Sequence, residues 1–279
     1  MYPFLFSILG RDIPAYGLMI ILGVGAGAGL VALLCGPKRK NRIINRTDAL
    51  LAGCIAFAGA LIGAIFLRPL MKLPEVIIQW EVYSQYTIAD LFNYLFGELV
   101  FYGGLIGGSV AAFIYCRGFK TPILPVLDVI AAALPLGHAF GRVGCLLAGC
   151  CYGIKVGHDH PFAIIYPPES LAAPHGVPLL AVPLIEAATL LIISAILVVV
   201  YITTRRKGLC VGIYLSLYAI DRFVLEFFRG DIHRGYYGPL STSQYISIGI
   251  FIAGFLFLAF AALSKKARTV TEPEINTDE

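Results

Sequence analysis

Long, nearly uncharged apolar segments recur along this chain of 279 residues and restrict its fold more than any other feature. A helix needs about 20 predominantly apolar residues to cross the hydrocarbon core of a bilayer. Seven candidate segments run roughly over 13–36, 49–67, 92–115, 123–147, 178–203, 208–228 and 240–263. Since they lack the period-2 alternation of transmembrane strands, helices are indicated. The sequence predicts an all-α polytopic membrane protein with seven transmembrane helices, set in a lipid bilayer.

The composition excludes several other classes of protein. Hydrophobic residues make up 58% of the chain and charged residues 14%, compared with roughly 25% charged in soluble domains. This argues against an ordinary soluble enzyme and against a disordered chain. The net charge of +4 is small, and its basic residues lie at the ends of predicted spans, so nucleic-acid binding has no support.

The positions of the basic residues predict the orientation in the membrane. Thirteen of the 21 Lys and Arg residues lie in alternate loops and six on the opposite side. Because short cytoplasmic loops are enriched in Lys and Arg, we expect the N-terminus outside and the C-terminus in the cytoplasm. The remaining two, Arg142 and Arg222, fall inside predicted spans.

The same reasoning divides the chain into one transmembrane domain, 1–265, and a flexible cytoplasmic tail, 266–279. Outward loops are expected near 68–91, 148–177 and 229–239. The N-terminal segment has no basic lead, so we expect no cleavable signal peptide and a retained first span.

Ionisable residues inside the sixth predicted span mark a candidate site, because such residues are costly in lipid. Tyr218, Arg222, Glu226 and Arg229 follow at steps of four, four and three and so share one helical face. Arg222 and Glu226 are spaced to form an ion pair. The alternative is a buried pair that only fixes helix packing.

The fourth predicted span combines basic, sulfur and glycine positions on two adjacent stripes. One stripe consists of His138, Arg142, Cys145 and Gly149, and its neighbour of Gly137, Gly141 and Gly144. Small residues allow close approach to the backbone, and a guanidinium binds phosphate or carboxylate through two parallel hydrogen bonds. The pattern predicts a seat for an anionic headgroup, with His138 either a site residue or a structural hydrogen-bonding group.

Seven cysteines are present, mostly within apolar runs, and a disulfide framework is not expected. Cys145, Cys150 and Cys151 together with His138 resemble a zinc ligand set in residue type. However, adjacent cysteines on a helix point about 100° apart, and no CxxC pair occurs. A vicinal disulfide would be strained. The sequence therefore predicts no metal site and no cofactor.

Three further spans contribute isolated polar groups. In span three, Glu98 and Tyr102 precede Gly103 and Gly104. Tyr16 lies in span one and Glu186 in span five. Each of these polar residues, taken alone, is typical of a structural hydrogen bond. Together the five spans indicate a polar chamber within the bundle. Such a chamber fits either a lipid-modifying enzyme or a transporter of a small anion. The halves show no convincing similarity, which favours the enzyme over a transporter built from inverted repeats.

Ordered motifs along nearly the whole chain resemble those of bacterial prolipoprotein diacylglyceryl transferases. They are IPAYGLMIILG, YGGLIGG, GRVGCLLAGCCYG, VPLIEA, YAIDRFVLEFFRGD and LSTSQYISI. The resemblance implies a seven-helix enzyme of the bacterial plasma (inner) membrane. It also implies the reaction: transfer of diacylglyceryl from phosphatidylglycerol to the lipobox cysteine of a prolipoprotein signal peptide, with release of glycerol phosphate.

The resemblance also assigns site residues. The family's phosphatidylglycerol-binding arginine falls on Arg142 and its later essential arginine on Arg222, followed by the family glutamate at Glu226. With Tyr102 these form the expected catalytic set. Expected substrate-binding residues are Arg142, Tyr16, Gly103, Gly104, His138, Gly141, Gly144, Cys145, Gly149, Gly153, Tyr218 and Arg229.

Three positions depart from the usual family pattern. Tyr102 stands where the best-known members have histidine, so an imidazole base is not expected there. Cys145 replaces the usual asparagine and Cys150 a frequent glutamate. These changes leave open a family relative that alkylates a different acceptor.

Overall fold

The computed structural model describes residues 4–8, 11–36, 44–97, 100–204, 206–230 and 236–263, and these are predominantly helical. They form two compact units, one within Met1–Leu30 and Leu127–Glu279 and the other within Val31–Val126. The tail at 266–279 lies outside the described residues. Within the described ranges, three short antiparallel strand pairs accompany the helices: β1–β2, β3–β4 and β5–β6.

The elements follow one another along the chain with these bounds. The strands are β1 (Phe4–Ile8), β2 (Arg11–Pro14), β3 (Ala163–Ile165), β4 (Pro178–Leu180), β5 (Tyr236–Tyr237) and β6 (Leu240–Ser241). The helices are α1 (Ala15–Leu34), α2 (Arg46–Ile78), α3 (Trp80–Tyr83), α4 (Ile88–Phe96), α5 (Phe101–Gly118), α6 (Ile123–Ala148), α7 (Val182–Thr203), α8 (Leu209–Leu225) and α9 (Thr242–Leu263).

Five helices among the described residues are long and apolar enough to cross a membrane: α1, α2, α6, α7 and α9. The predicted helical, polytopic class is thereby confirmed. The helices at the other two predicted spans, α5 with 18 residues and α8 with 17 residues, are shorter. At 1.5 Å per residue they extend about 26 to 27 Å, just less than the ~30 Å hydrocarbon core.

The third predicted span, 92–115, is not one continuous helix. It divides into α4 and α5. Helix α4 starts where the Thr87 hydroxyl accepts the Asp90 N–H at 3.2 Å. Helix α4 ends at Phe96, with Gly97 as its C-cap. Val100 is extended, and its N–H donates to the Ala64 carbonyl at 3.0 Å. Glu98 lies outside the described residues.

The segment 68–91, expected to be a loop, is largely helical. Helix α2 continues through Pro69 and Pro74 to Ile78, although proline removes a helical hydrogen bond. Polar contacts support the extension: Lys72 Nζ lies 2.8 Å from Glu75 Oε2, and Arg68 Nε donates to the Tyr94 carbonyl at 2.8 Å.

Within the unit Val31–Val126, glycines bring α2 and α5 into direct backbone contact. A methyl group on Gly63 would collide with the carbonyl of Gly103, and one on Gly103 would collide with that of Gly63. Gly59 and Gly107 repeat the arrangement one turn along. Small residues let membrane helices pack at close range, so this interface depends on the missing side chains.

The other unit contains α7, α8, α9 and most of α1 and α6. Helices α1 and α6 approach at Gly23, where a methyl group would lie 2.7 Å from the Gly137 carbonyl oxygen. The Ser194 hydroxyl of α7 donates to the Ala132 carbonyl of α6 at 3.0 Å. Asp128 of α6 accepts the N–H groups of Gly208 at 2.6 Å and Val211 at 3.1 Å. A carboxylate from α6 thus caps the start of α8 and fixes one helix against the other.

Candidate functional site

Arg142 lies in the last third of α6 and is paired with a buried carboxylate of α7. Its Nη2 is 2.9 Å from Oε1 of Glu186, with the side chains 15% and 0% exposed. A buried charge without a partner is strongly unfavourable, so this pair explains how both residues are accommodated. The polar residue of span five is therefore part of the same site as Arg142.

His138 precedes Arg142 by one helical turn and orients it. Arg142 Nε donates to His138 Nε2 at 3.3 Å. Because Nε2 accepts, the imidazole is neutral with its proton on Nδ1. The ring also packs against Tyr218 of α8, with ring centroids 5.6 Å apart. His138 thus makes the structural hydrogen bond that one interpretation expected, and makes it within the candidate site.

Arg222 forms the ion pair that its spacing predicts. Its Nη2 lies 3.1 Å from Oε2 of Glu226, with the side chains 13% and 2% exposed. Glu226 begins a short 3-10 turn, Glu226–Phe228, at the end of α8. Nη1 of Arg222 and Oδ2 of Asp221 are both buried, and neither has a hydrogen-bond partner among the described residues.

These residues form what we call the arginine cluster. Its members come from α6, α7 and α8 and are His138, Arg142, Glu186, Tyr218, Arg222 and Glu226. Each guanidinium is held by one carboxylate, and the two arginines lie within electrostatic range of each other. Nη1 of Arg222, buried and without a hydrogen-bond partner in the described part of the chain, is a donor suited to an anionic oxygen from a ligand.

Tyr16 of α1 lies against α6 near two of the α6 glycines. A methyl group on Gly144 would lie 3.1 Å from Cδ2 of Tyr16, so the tyrosine ring rests against this glycine. A methyl group on Gly141 would meet nothing within 4 Å. The open space beside Gly141, next to Arg142 in the chain, is compatible with the expected headgroup seat.

Gly149 and Gly153 are tightly surrounded by protein. Gly149 has φ +65°, and a methyl group there would lie 2.6 Å from Cβ of Ser170. Such a backbone conformation favours glycine. The Gly153 N–H donates to the Leu180 carbonyl at 3.0 Å, and Gly153 forms a β-bridge with Arg229. The backbone after α6 is therefore joined to the backbone after α8.

Cys145, Cys150 and Cys151 form a compact thiol cluster, with their Sγ atoms all within 4.8 Å of one another. The two adjacent cysteines do not point apart as residues on a helix would, because α6 ends at Ala148 and both lie in the turn beyond it. Interactions with the Cys145 and Cys150 thiols and with Arg229 and Arg142 lower the pKa of Cys151, although burial opposes this shift.

Several expected site residues are not brought to the arginine cluster by the described structure. Gly103 and Gly104 lie in α5, in the unit Val31–Val126, where they pack against α2. The side chain of Tyr102 lies outside the described residues. Substrate-binding roles for the two glycines and a catalytic role for Tyr102 stay predictions.

The sequence reasoning missed three structural relationships. Glu186 was noticed as a polar residue but not as the partner of Arg142, which is 44 positions away. Asp128 and Asp221 were not singled out, although a carboxylate inside an apolar run is itself a signal. Asp128 has a helix-capping role, and Asp221 adjoins Arg222 in the chain.

The fold and site define a polytopic helical membrane protein with two buried arginine–carboxylate pairs on neighbouring helices. The profile of the family described as "Prolipoprotein diacylglyceryl transferase" matches residues 3–260. The chain belongs to the prolipoprotein diacylglyceryl transferase family, as its motifs indicated.

Three similar proteins carry the name phosphatidylglycerol–prolipoprotein diacylglyceryl transferase. The Clostridium tetani protein is 30% identical over 258 residues, which cover 92% of this chain and 97% of that protein. The Clostridium perfringens protein, whose name carries the number 2, is 32% identical over 266 residues. These cover 94% of this chain and 96% of that protein. The Dehalococcoides mccartyi protein is 35% identical over 228 residues, covering 81% and 82%.

Proposed function

We propose that this chain transfers the diacylglyceryl group of phosphatidylglycerol to the lipobox cysteine of prolipoproteins, forming a thioether and releasing glycerol phosphate. Family membership over residues 3–260 supports the reaction. The observation that carries the assignment of the site is the buried arginine cluster, with a guanidinium N–H of Arg222 unpartnered among the described side chains. A phosphodiester supplies the acceptor oxygens that such donors require.

Arg142 and Arg222 hold the phosphodiester and stabilise the charge that develops on the departing phosphate. Fixed donors directed at developing charge act strongly in a site that excludes water. Glu186 and Glu226 hold the two guanidiniums in position, each through one nitrogen, at 2.9 and 3.1 Å. Nε of Arg142 donates to His138, so the nitrogens assigned to the substrate are Nη1 of Arg142 and Nη1 of Arg222.

The acceptor thiol attacks the glycerol carbon that bears the phosphate, and the bond between that carbon and oxygen breaks. The thiolate is the nucleophilic form of cysteine, so its proton must leave before or during attack. His138 is an unsuitable base while Nε2 accepts from Arg142. Tyr102, the fourth residue of the expected catalytic set, is assigned to orient the nucleophile or a headgroup hydroxyl.

The topology proposed for this function has seven transmembrane helices. They are the five longer helices named above together with α5 and α8. The N-terminus faces outward and the C-terminus the cytoplasm, as the distribution of Lys and Arg indicates. The site opens toward the outer side of the bacterial plasma membrane, where the β3–β4 hairpin follows the last turn of α6. Phosphatidylglycerol enters from the bilayer, and the signal peptide presents its cysteine there.

The test uses the full chain, purified in detergent with phosphatidylglycerol and a peptide containing a lipobox cysteine. Mass spectrometry should detect the peptide with one diacylglyceryl group in thioether linkage, together with glycerol phosphate. A peptide with serine in place of the cysteine is the control and should stay unmodified. Absence of product combined with anion uptake into proteoliposomes would instead support a transporter.

A further inference from the structure

The thiol cluster has the dimensions of a zinc site. A tetrahedral zinc ion with Zn–S bonds of about 2.3 Å has sulfur atoms roughly 3.8 Å apart. Cys150 and Cys151 have their Sγ atoms 4.0 Å apart, and all three Sγ atoms lie within 4.8 Å of one another. Shifts of less than about 1 Å would complete the geometry, a change within the reach of side-chain rotation.

The backbone holds the three cysteines together independently of any ion. The N–H groups of Gly149 and Cys150 donate to the Cys145 carbonyl at 3.0 and 3.4 Å, which returns the chain over the end of α6. The Tyr166 hydroxyl donates to the Cys151 carbonyl at 3.3 Å. The Ala173 N–H donates to the Gly149 carbonyl at 3.0 Å. Such support from surrounding residues is typical of preorganised ligand sites.

We infer that Cys145, Cys150 and Cys151 bind one Zn²⁺ ion, and that its fourth coordination position receives the thiol of the acceptor cysteine. The second half of this inference rests on the proposed function. Thiolates select zinc and other thiophilic ions over magnesium or calcium. Zinc sites that take part in chemistry keep one position open beside three protein ligands.

The residues around the cluster suit this assignment. No other Cys, His, Asp or Glu of the described residues joins the three cysteines as a fourth ligand. Three thiolates and one Zn²⁺ carry a net charge of −1, and the positive charges of Arg142 and Arg229 lie within electrostatic range of Cys151. The cluster also places the acceptor sulfur near Arg142, which the proposed function assigns to the phosphate.

The role of the zinc ion in this proposal is to ionise the acceptor thiol. A thiol that coordinates a divalent cation loses its proton, which goes to solvent. The bound thiolate then attacks the glycerol carbon, forming a carbon–sulfur bond as the carbon–oxygen bond to phosphate breaks. The electron pair of that bond leaves with glycerol phosphate, and the neutral thioether, a weaker ligand, leaves the zinc ion.

The first test measures metal binding without activity. The full chain, purified with a reductant and exposed to Zn²⁺, should retain one zinc ion per molecule after desalting. Replacement of zinc by Co²⁺ should give the charge-transfer absorption of cobalt bound to thiolates. Cys150→Ser and Cys151→Ser should each lose most of the zinc and this absorption. Cys54→Ser, on the exposed face of α2, is the matched control and should retain both.

The zinc site would be overturned if the purified protein retained no zinc after desalting. It would also be overturned if both serine variants retained zinc. An oxidised pair among the three cysteines, found by mapping of alkylated peptides from protein purified with the reductant, would overturn it as well. A variant that does not fold would also lose zinc. The folded state of each variant is therefore checked by its elution in size-exclusion chromatography. The single variant Cys150→His, which keeps Cys145 and Cys151, should bind zinc where Cys150→Ser does not, because histidine is also a zinc ligand.

The second test addresses the role of the ion in transfer. Chelator-treated protein should lose at least ten-fold in thioether formation, and Zn²⁺ but not Mg²⁺ should restore it. Equal activity of the metal-free and zinc-loaded proteins would overturn the catalytic role. If neither protein forms thioether, the proposed function fails, whereas zinc stoichiometry still decides the metal site by itself.

Discussion

Nη2 of Arg142 and Oε1 of Glu186 lie 2.9 Å apart, and they join two helices whose sequence positions give no hint of the pairing. The carboxylate is fully buried. In such surroundings, removal of one partner leaves an uncompensated charge. The relationship therefore determines both the stability of the α6–α7 contact and the orientation of a guanidinium that the proposed function requires.

Substitution Glu186→Gln should destabilise the protein and reduce transfer. Loss of one partner of a buried ion pair costs about 3 to 5 kcal/mol, and Arg142 would no longer be held toward the substrate. Thermal unfolding in detergent and the rate of thioether formation measure the two effects. Glu169→Gln, at an exposed loop position, is the control. A Glu186→Gln protein with normal melting temperature and rate would contradict the assigned role of the pair.

Substitution Arg142→Lys should abolish most of the transfer although the charge is kept. A lysine ammonium cannot contact Glu186, His138 and a phosphate through one planar fork. Removal of one donor to developing charge typically costs on the order of 10²- to 10³-fold in rate. Arg117→Lys, at an exposed position of α5, should leave the rate unchanged. Substantial transfer by Arg142→Lys would argue against phosphate binding by this residue.

The pair formed by Arg222 and Glu226 can be tested with a double-mutant cycle. Arg222→Met and Glu226→Gln should each reduce stability, and the double variant should lose less than the sum of both. We expect a coupling free energy of about 1 to 3 kcal/mol, the range found for residues in direct contact. Urea or thermal unfolding in detergent provides the values. Strict additivity would mean that the 3.1 Å contact contributes nothing to folding.

The sequence permits prediction of those relationships that depend on helical periodicity alone. Arg222 of α8 and Glu226, the C-cap of that helix, are four residues apart in helical backbone, so their pairing follows from the period and is confirmed. Arg142 and Glu186 meet only because α6 packs on α7, and no local pattern encodes that contact. The close approach of the three cysteines does not follow from helical periodicity, because α6 ends at Ala148 and does not extend to Cys150 and Cys151. The left-handed Gly149 instead turns the chain back.

The same limit explains the errors in the membrane-spanning segments. Hydropathy identifies apolar stretches but cannot tell where a helix breaks inside one, as at Gly97 between α4 and α5. It also fails to show that α2 continues beyond its apolar part to Ile78, through two prolines. There the helix is supported by polar contacts such as Lys72 with Glu75.

Asp128→Ala should lower the stability of the protein because α8 would lose its cap. The Asp128 carboxylate accepts two backbone N–H groups at 2.6 and 3.1 Å and is only 2% exposed. Loss of a helix cap costs about 0.5 to 2 kcal/mol, and burial of the unsatisfied N–H groups adds to that cost. Asp159→Ala, in an exposed turn, should have little effect on the melting temperature. Equal melting temperatures for the two variants would contradict the capping role.

Two glycine substitutions in one helix should have opposite effects on stability. Gly63→Ala places a methyl group against the Gly103 backbone, where neither carbonyl can move without separating α2 from α5. Overpacking of this kind costs about 1 to 3 kcal/mol. Gly53→Ala in the same helix meets nothing within 4 Å, so it should stabilise the protein by up to about 1 kcal/mol through the helix propensity of alanine. Thermal unfolding of both variants in detergent separates close packing from a general intolerance of alanine in α2. Because neither residue belongs to the expected substrate-binding set, a loss of transfer in Gly63→Ala alone would show that transfer depends on the close packing of α2 and α5.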